Sequence, residues 1–387
     1  MSYFALGECI LTEKIFVNCY LAHNLGDDLF LYTLLNRYPK VLFSLIADQS
    51  YGFLSNCFRN IDLNIVETFP LKNGISAWWK QQSLWKNKRD ELIHDANAMV
   101  TIGGSLYMEN ANSDFRSLLR KERRYLRDKR TASHVAECNS YVIGANFGPY
   151  HTSRFLHFYR RLFLNYYQDV CFRDKYSADL FSAVPPVRYA PDVLFNTHLP
   201  QLDKKNKVFI SVVDLANSNK FESLSSKAED YDRLIAAYVR HYTELDYEIV
   251  LCSFCQFEGD ENGVKKIVQS VSSEGIKVRV LFYRNNMEEI LSELASSSIV
   301  IGTRFHAVVL GLLAGANVLP IMYSHKTKHV LEDIGFDIQK AINLKTDDWE
   351  NISEVNLPEP VYHDVTDTVK ASAKQFAALD EYLGYKG

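Results

Sequence analysis

The 387-residue chain is as informative in what it lacks as in what it has. No apolar run approaches the ~20 residues needed to span a bilayer, so a bundle of membrane helices is excluded. Neither G-x-G-x-x-G nor G-x-x-x-x-G-K-[ST] occurs, which removes the usual dinucleotide and nucleoside-triphosphate fingerprints. The scattered histidines have no metal-ligand spacing, and no metal is expected. The seven cysteines are odd in number and no signal peptide precedes them, so reduced thiols in a cytoplasmic protein are expected. The lone C-x-x-C, Cys252 to Cys255, follows an apolar strand and reads as buried strand-end thiols more readily than as a redox pair. Basic charge is not in excess. The 43 Lys and Arg against 47 Asp and Glu give −4, so no global attraction to nucleic acid is implied. No short-period repeat or low-complexity tract is present.

What is there fits a globular protein with large cores, at 47% hydrophobic and 23% charged residues. The length implies about two to three domains. Aromatics reach 13%, mostly Tyr and Phe, which is high, although composition alone does not assign them to sugar binding.

Apolar runs with strand character alternate with helical patterns twice over. The first series is Lys14 to Leu21, Val41 to Ile46, Ala98 to Ile102, Ser140 to Ile143 and Val170 to Phe172. The polar stretch Leu199 to Lys207 reads as a linker. The second series is Val208 to Val213, Glu248 to Leu251, Val278 to Leu281, Ser298 to Ile301 and Val318 to Ile321. This pattern predicts an α/β protein with two parallel-sheet domains facing a cleft. The expected boundaries are 1–198 and 199–363, followed by a C-terminal amphipathic helix in 364–387.

Chemistry is expected where strands give way to helices, because ligands of open α/β sheets sit at the carboxyl ends of strands. The stretch Ile299 to Ala316 is the clearest case. Its β-branched strand ends at Gly302 and Thr303, an apolar helix follows, and Arg304 and His306 stand at the turn. A helix N-terminus with an Arg and a His suits a phosphate or carboxylate. Further small-and-polar turns are Asn24 to Asp28, Gly103-Gly104-Ser105, Gly144 to Gly148 and Arg173-Asp174. Lys326 or Lys328, after the strand ending at Ile321, adds positive charge.

Taken in order, these motifs resemble the polysaccharide pyruvyl transferase family. The resemblance runs through N-L-G-D-D, G-G-S-L-Y, G-A-N-F-G-P, F-R-D-K-Y-S, A-P-D-V-L-F, G-T-R-F-H-A and Y-S-H-K followed by D-I-G. It implies two Rossmann-like domains in a GT-B-like arrangement, with the first on the acceptor side. It also implies phosphoenolpyruvate as donor substrate, no other cofactor, and a sugar hydroxyl pair as acceptor. The product would be a pyruvate ketal on a surface or exopolysaccharide sugar, or on its lipid-linked precursor. On that footing Arg173, Arg304 and Lys326 are assigned to the donor's charges, with Asn24, Gly103, Gly104 and Ser105 as further binding positions. His306 is the candidate general acid, and Asp28 or Asp174 the candidate hydroxyl base.

The helical pattern Ser113 to Arg130 carries Arg116, Arg120, Lys121, Arg123, Arg124, Arg127, Lys129 and Arg130. With Trp78, Trp79 and Trp85 it is read as a candidate peripheral membrane contact near a lipid-pyrophosphate-linked acceptor, against an equally weighted core-packed helix with a solvated basic face. Two rival functions share the expected architecture. One is a nucleotide-sugar glycosyltransferase, for which Glu258 and Asp260 keep a ribose grip open. The other is a catalytically silent binding protein in glycan assembly.

Overall fold

The computed structural model describes residues 13–67, 74–109, 115–135, 139–217, 221, 223–347, 349, 352 and 356–385. The chain forms two compact units. One comprises Met1–Tyr20, Phe30–Ala190 and Lys374–Gly387, and the other Leu21–Leu29 and Pro191–Ala373.

In the first unit seven strands form one sheet: β1 (Lys14–Cys19), β2 (Leu42–Ala47), β3 (Ile61–Ile65), β4 (Ala98–Ile102), β5 (Asn139–Ala145), β6 (Asp169–Phe172) and β7 (Val187–Tyr189). Their order is β3-β2-β1-β4-β5-β6-β7, and every pairing is parallel. Chain direction across the sheet reverses between β1 and β4, the switch point at which such sheets open a crevice. β4 is buried along its whole length, as an apolar run covered on both faces must be. The helices named below are α1 (Leu25–Arg37), α2 (Gly74–His94), α3 (Phe115–Val135), α4 (Ser153–Tyr166) and α5 (Lys175–Asp179). Much of the aromatic content is core. Phe147, Phe155, Tyr159, Phe163, Phe172 and Phe181 are all buried together, with Phe147 and Phe181 edge-to-face at 4.8 Å.

The second unit repeats the plan with β8 (Lys205–Val212), β9 (Glu248–Ser253), β10 (Arg279–Phe282), β11 (Ser297–Gly302), β12 (Asn317–Met322) and β13 (Ile342–Asn343). Their order is β10-β9-β8-β11-β12-β13, again all parallel. The switch point lies between β8 and β11, where Gly302 stands opposite Ser211. Its helices include α6 (Ala228–Glu244), α7 (Asp260–Ser272), α8 (Met287–Ser296), α9 (Phe305–Leu313), α10 (His325–Asp333) and α11 (Thr366–Ser372). The two-unit parallel α/β class expected from the alternating pattern is therefore the one observed.

Some local readings change, and the short strands β7 and β13 are additions to the expected series. The edge strand β3 was not anticipated, because Asp62 and Asn64 interrupt its apolar residues. Lys205 to Lys207 belong to β8 and not to a linker. Lys207 is buried there, its ammonium held by Glu293 and by Glu248 at 3.6 Å. The single C-terminal helix is broken after Ser372 by a tighter turn, Ala373–Phe376, before α12 (Ala377–Tyr382). That turn delivers the buried Gln375 amide to backbone groups at the carboxyl ends of the first sheet. It donates to Ala190 O at 2.7 Å and Phe172 O at 3.3 Å, and accepts from Gly144 N at 2.9 Å.

α9 lies close on β11 because two glycines permit it. A Cβ on Gly311 would stand 2.9 Å from Val300 Cβ, and one on Gly302 would stand 2.6 Å from Val308 Cγ2. In an unconstrained helix Gly→Ala gains roughly 1 kcal/mol. Here overpacking reverses the sign, so Gly311→Ala is expected to cost about 1–3 kcal/mol in urea denaturation. An unchanged or raised midpoint would contradict this close packing.

Candidate active site

Arg304 is the N-cap residue of α9, with extended backbone (φ −77°, ψ 127°), and its N–H donates to Ser211 Oγ at 3.1 Å. Thr303 beside it is fixed by Ser211 O at 3.3 Å and by the buried Tyr231 hydroxyl at 2.8 Å. The Arg304 side chain is 5% exposed. Its Nε donates to Asp260 Oδ2 at 2.8 Å, its Nη2 to Asp260 Oδ1, and its Nη1 to Glu258 Oε2. Burial disfavours the guanidinium charge, but Asp260, then Tyr323 and Glu258, outweigh it and raise the pKa well above the ordinary value. Asp260 also accepts from Cys255 N at 3.0 Å, so this fork ties the turn after β9 to the turn after β11. Glu258 and Asp260, the acids considered for a ribose, are thus the partners of Arg304.

His306 sits in the first turn of α9 and packs on the N-L-G-D-D turn. A Cβ on Gly26 would fall 1.5 Å from His306 Nδ1, so the imidazole occupies the space that glycine leaves open. Asn24 shapes that turn. Its Oδ1 accepts from Gly26 N at 3.1 Å, and it forms an isolated bridge with Cys255. Asp28, buried in the first turn of α1, accepts from the hydroxyl of Tyr283 at 2.7 Å. Tyr283 itself is buried just past the end of β10, with its N–H on Ser253 O at 3.1 Å. Sequence reasoning passed over Tyr283. The available signal was its place at the carboxyl end of a strand. Lys326 lies in the first turn of α10, behind the N-cap Ser324. Cys252 and Cys255 are buried free thiols, and burial pushes the Cys255 thiol up to about 11, as strand-end packing requires.

The first unit gathers the remaining candidates. Gly103 has φ 142°, a conformation that favours glycine. Gly104 lies against the Arg173 guanidinium, where a Cβ would stand 2.7 Å from Nη2 and 2.8 Å from Cζ. Arg173 is 4% exposed and donates from Nη2 to Asn146 Oδ1 at 2.9 Å. Asn146 N donates to Gly104 O at 2.8 Å, and the Ser105 hydroxyl reaches Asn146 Oδ1 at 3.4 Å. The turns after β4, β5 and β6 therefore interlock around Arg173. Asp174 caps α5, with Oδ1 accepting from Ser177 N at 2.8 Å and Oδ2 from Ser177 Oγ at 2.9 Å. Both of its oxygens are committed to that cap.

The basic helix α3 is less uniform than its charge count. Arg124 points inward, donating to Leu106 O at 2.7 Å, Met108 O at 2.6 Å and the Tyr159 hydroxyl at 3.2 Å. Lys121 lies 3.3 Å from the buried Glu109. Burial would raise the Glu109 carboxyl, but hydrogen bonds from His151 N, Thr152 and Lys121 bring it below the usual value. Arg123, Leu126, Arg127, Lys129 and Arg130 are exposed. The side chains of Trp78, Trp79, Arg116 and Arg120 lie outside the described residues.

The seating of His306 on Gly26 gives a direct test. Gly26→Ala is expected to destabilise the protein by about 1–3 kcal/mol. In a His306→Ala background the same change should be neutral or stabilising, because the ring it meets is gone. An equal cost in both backgrounds, read by chemical denaturation, would contradict the contact.

Comparison with known proteins covers both units. The UDP-GlcNAc 2-epimerase of Methanocaldococcus jannaschii superposes with a TM-score of 0.55 at 7% identity, covering 95% of this chain and 99% of that one. Another UDP-N-acetylglucosamine 2-epimerase gives 0.53 at 11%, covering 97% and 96%. These likenesses concern the fold alone. In sequence, the amylovoran biosynthesis protein AmsJ of Erwinia amylovora is 23% identical over 179 residues. That match covers 45% of this chain and 43% of AmsJ, so it spans less than half the length of that relative. The polysaccharide pyruvyl transferase pattern matches residues 24–325, from the Asn24 turn through the Arg304 and His306 turn to the start of α10. The chain belongs to the polysaccharide pyruvyl transferase family.

Proposed function

We propose that the protein transfers the pyruvyl group of phosphoenolpyruvate to two hydroxyls of a sugar in a surface or exopolysaccharide, forming a pyruvate ketal and releasing phosphate. The observation that carries this reading is the constellation at the N-terminus of α9. There a histidine, two residues from a buried arginine, packs on a turn that holds a buried carboxylate. A helix N-terminus attracts a small multiply charged anion, and Lys326 at the start of α10 adds to that field. Arg304 can engage the donor as Glu258 gives way, since Glu258 is the more exposed of its two carboxylate partners (27% against 0%).

The reaction balances as follows. A proton adds to the methylene carbon of the donor, making it a methyl group and leaving C2 electrophilic. One sugar oxygen bonds to C2 and its proton leaves. The C2–O bond to phosphate breaks, and the second sugar oxygen bonds to C2 with loss of its own proton. His306 is assigned the proton delivered to carbon, and the glycine beneath it fixes where the ring stands. Asp28 is assigned the hydroxyl proton, and Tyr283 orients its carboxylate. With both oxygens of Asp174 on Ser177, the base role is kept for Asp28 alone.

The test is phosphate release from phosphoenolpyruvate in the presence of acceptor. His306→Gln keeps a hydrogen bond but cannot pass a proton at neutral pH. Both His306→Gln and His306→Ala are expected to lose about 10²–10⁴-fold in kcat. Near-wild-type turnover in the Gln variant would overturn the acid role.

A further inference from the structure

A cleft of about 890 Å³ lies in the first unit, and the proposed chemistry does not use it. It opens beside the carboxyl halves of β1 and β2, with Asn18, Cys19 and Ile46 at its floor. β1 is one of the two strands that border the switch point, where a doubly wound sheet takes its ligand. One wall is α2, which contributes Trp85, Lys86 and Arg89. The other is α3, which contributes Arg123, Arg124 and Arg127. None of the described lining residues is Asp or Glu.

Among the described residues, Asp90 and Asp128 are carboxylates placed against this cluster. Asp90 pairs with Arg130 at 3.0 Å and lies 3.7 Å from Arg89. Asp128 pairs with Arg127 at 3.0 Å and accepts from the Tyr159 hydroxyl at 2.6 Å. Arg124 is spent on backbone carbonyls. Among the described residues Lys86, Arg89, Arg123, Arg124 and Arg127 line the cleft. Arg89 is partly desolvated: burial above all lowers its pKa, with Asp90 and Asp128 opposing and Arg127 and Arg130 adding to the effect. A guanidinium partly withdrawn from water gains from an anion placed beside it.

We infer that this cleft binds an organic diphosphate, gripped between Lys86 and Arg89 on α2 and Arg123 and Arg127 on α3. Two cationic walls match two linked phosphates better than one, and the volume leaves room for the group that the diphosphate carries. The Trp85 ring and Ile46 supply apolar surface for that group. The binding stands on this geometry alone. Its use rests on the pyruvyl-transfer reading, in which the diphosphate is the handle of the acceptor sugar.

Isothermal titration of the full chain with inorganic pyrophosphate, geranyl diphosphate, UDP and phosphoenolpyruvate tests it. Pyrophosphate is expected to bind the wild type and to weaken at least tenfold in R89Q and in R123Q/R127Q. R127Q alone, altered at an exposed position, provides a variant safe for folding, and its affinity should fall several-fold. His306→Ala should leave pyrophosphate binding unchanged. Geranyl diphosphate binding more tightly than UDP supports a site for a lipid carrier, and the reverse supports one for a nucleotide-bound sugar. Absence of pyrophosphate binding, or equal affinity in wild type, R127Q and R89Q, would overturn the site. Loss of phosphoenolpyruvate binding with pyrophosphate binding retained would instead overturn the donor reading and leave this one standing.

Discussion

The pairing of Arg304 with Asp260 holds the second unit's site together. Both side chains are buried, at 5% and 0% exposure, and two parallel hydrogen bonds join them. Neither charge could be left alone there. Removing one partner of a buried pair typically costs about 3–5 kcal/mol, because the other keeps its desolvation penalty. The pair locks the turn after β9 to the turn after β11, on either side of β8. With that turn fixed, α9 begins at a defined point and His306 is delivered onto Gly26. Asn24 and Asp28 are carried by the same short segment as Gly26, so the carboxylate held by Tyr283 follows from the same anchor.

The first unit also carries a buried arginine at the end of a strand. Arg173 is as buried as Arg304, its Nη2 donates to the Asn146 amide oxygen, and its guanidinium lies against Gly104. Planar stacking on a residue without a Cβ suits guanidinium better than ammonium, so a lysine would not replace it. Each sheet thus ends in a buried arginine whose placement depends on a nearby turn.

Much of this was legible in the sequence because it is local. Ile299 to Ile301 announce a buried strand, Gly302 and Thr303 end it, and the apolar residues after His306 announce the helix. The candidate turns lie at strand ends for the same reason. What was not legible depends on contacts between segments distant in the chain. Asp260 lies 44 residues from Arg304, and nothing in its own neighbourhood marks it as a partner rather than a helix-start acid. Gly26 reads as an ordinary turn glycine until the fold sets His306 on it. The edge strand β3 was hidden by Asp62 and Asn64, which an edge tolerates. In α3 the count of basic residues concealed their different settings: Lys121 reaches Glu109, Arg124 donates to backbone carbonyls at the edge of a cleft, and the exposed Arg123 and Arg127 line that cleft beside it.

In the proposed reaction the methylene carbon of the donor takes up a proton. That uptake is tested by running the transfer in D₂O with phosphoenolpyruvate and a sugar acceptor, then weighing the modified sugar by mass spectrometry. Pyruvyl ketal formation places one solvent deuterium in the new methyl group. A product that carries the three-carbon unit without deuterium in it, or a product formed only from a nucleotide sugar, would contradict the account.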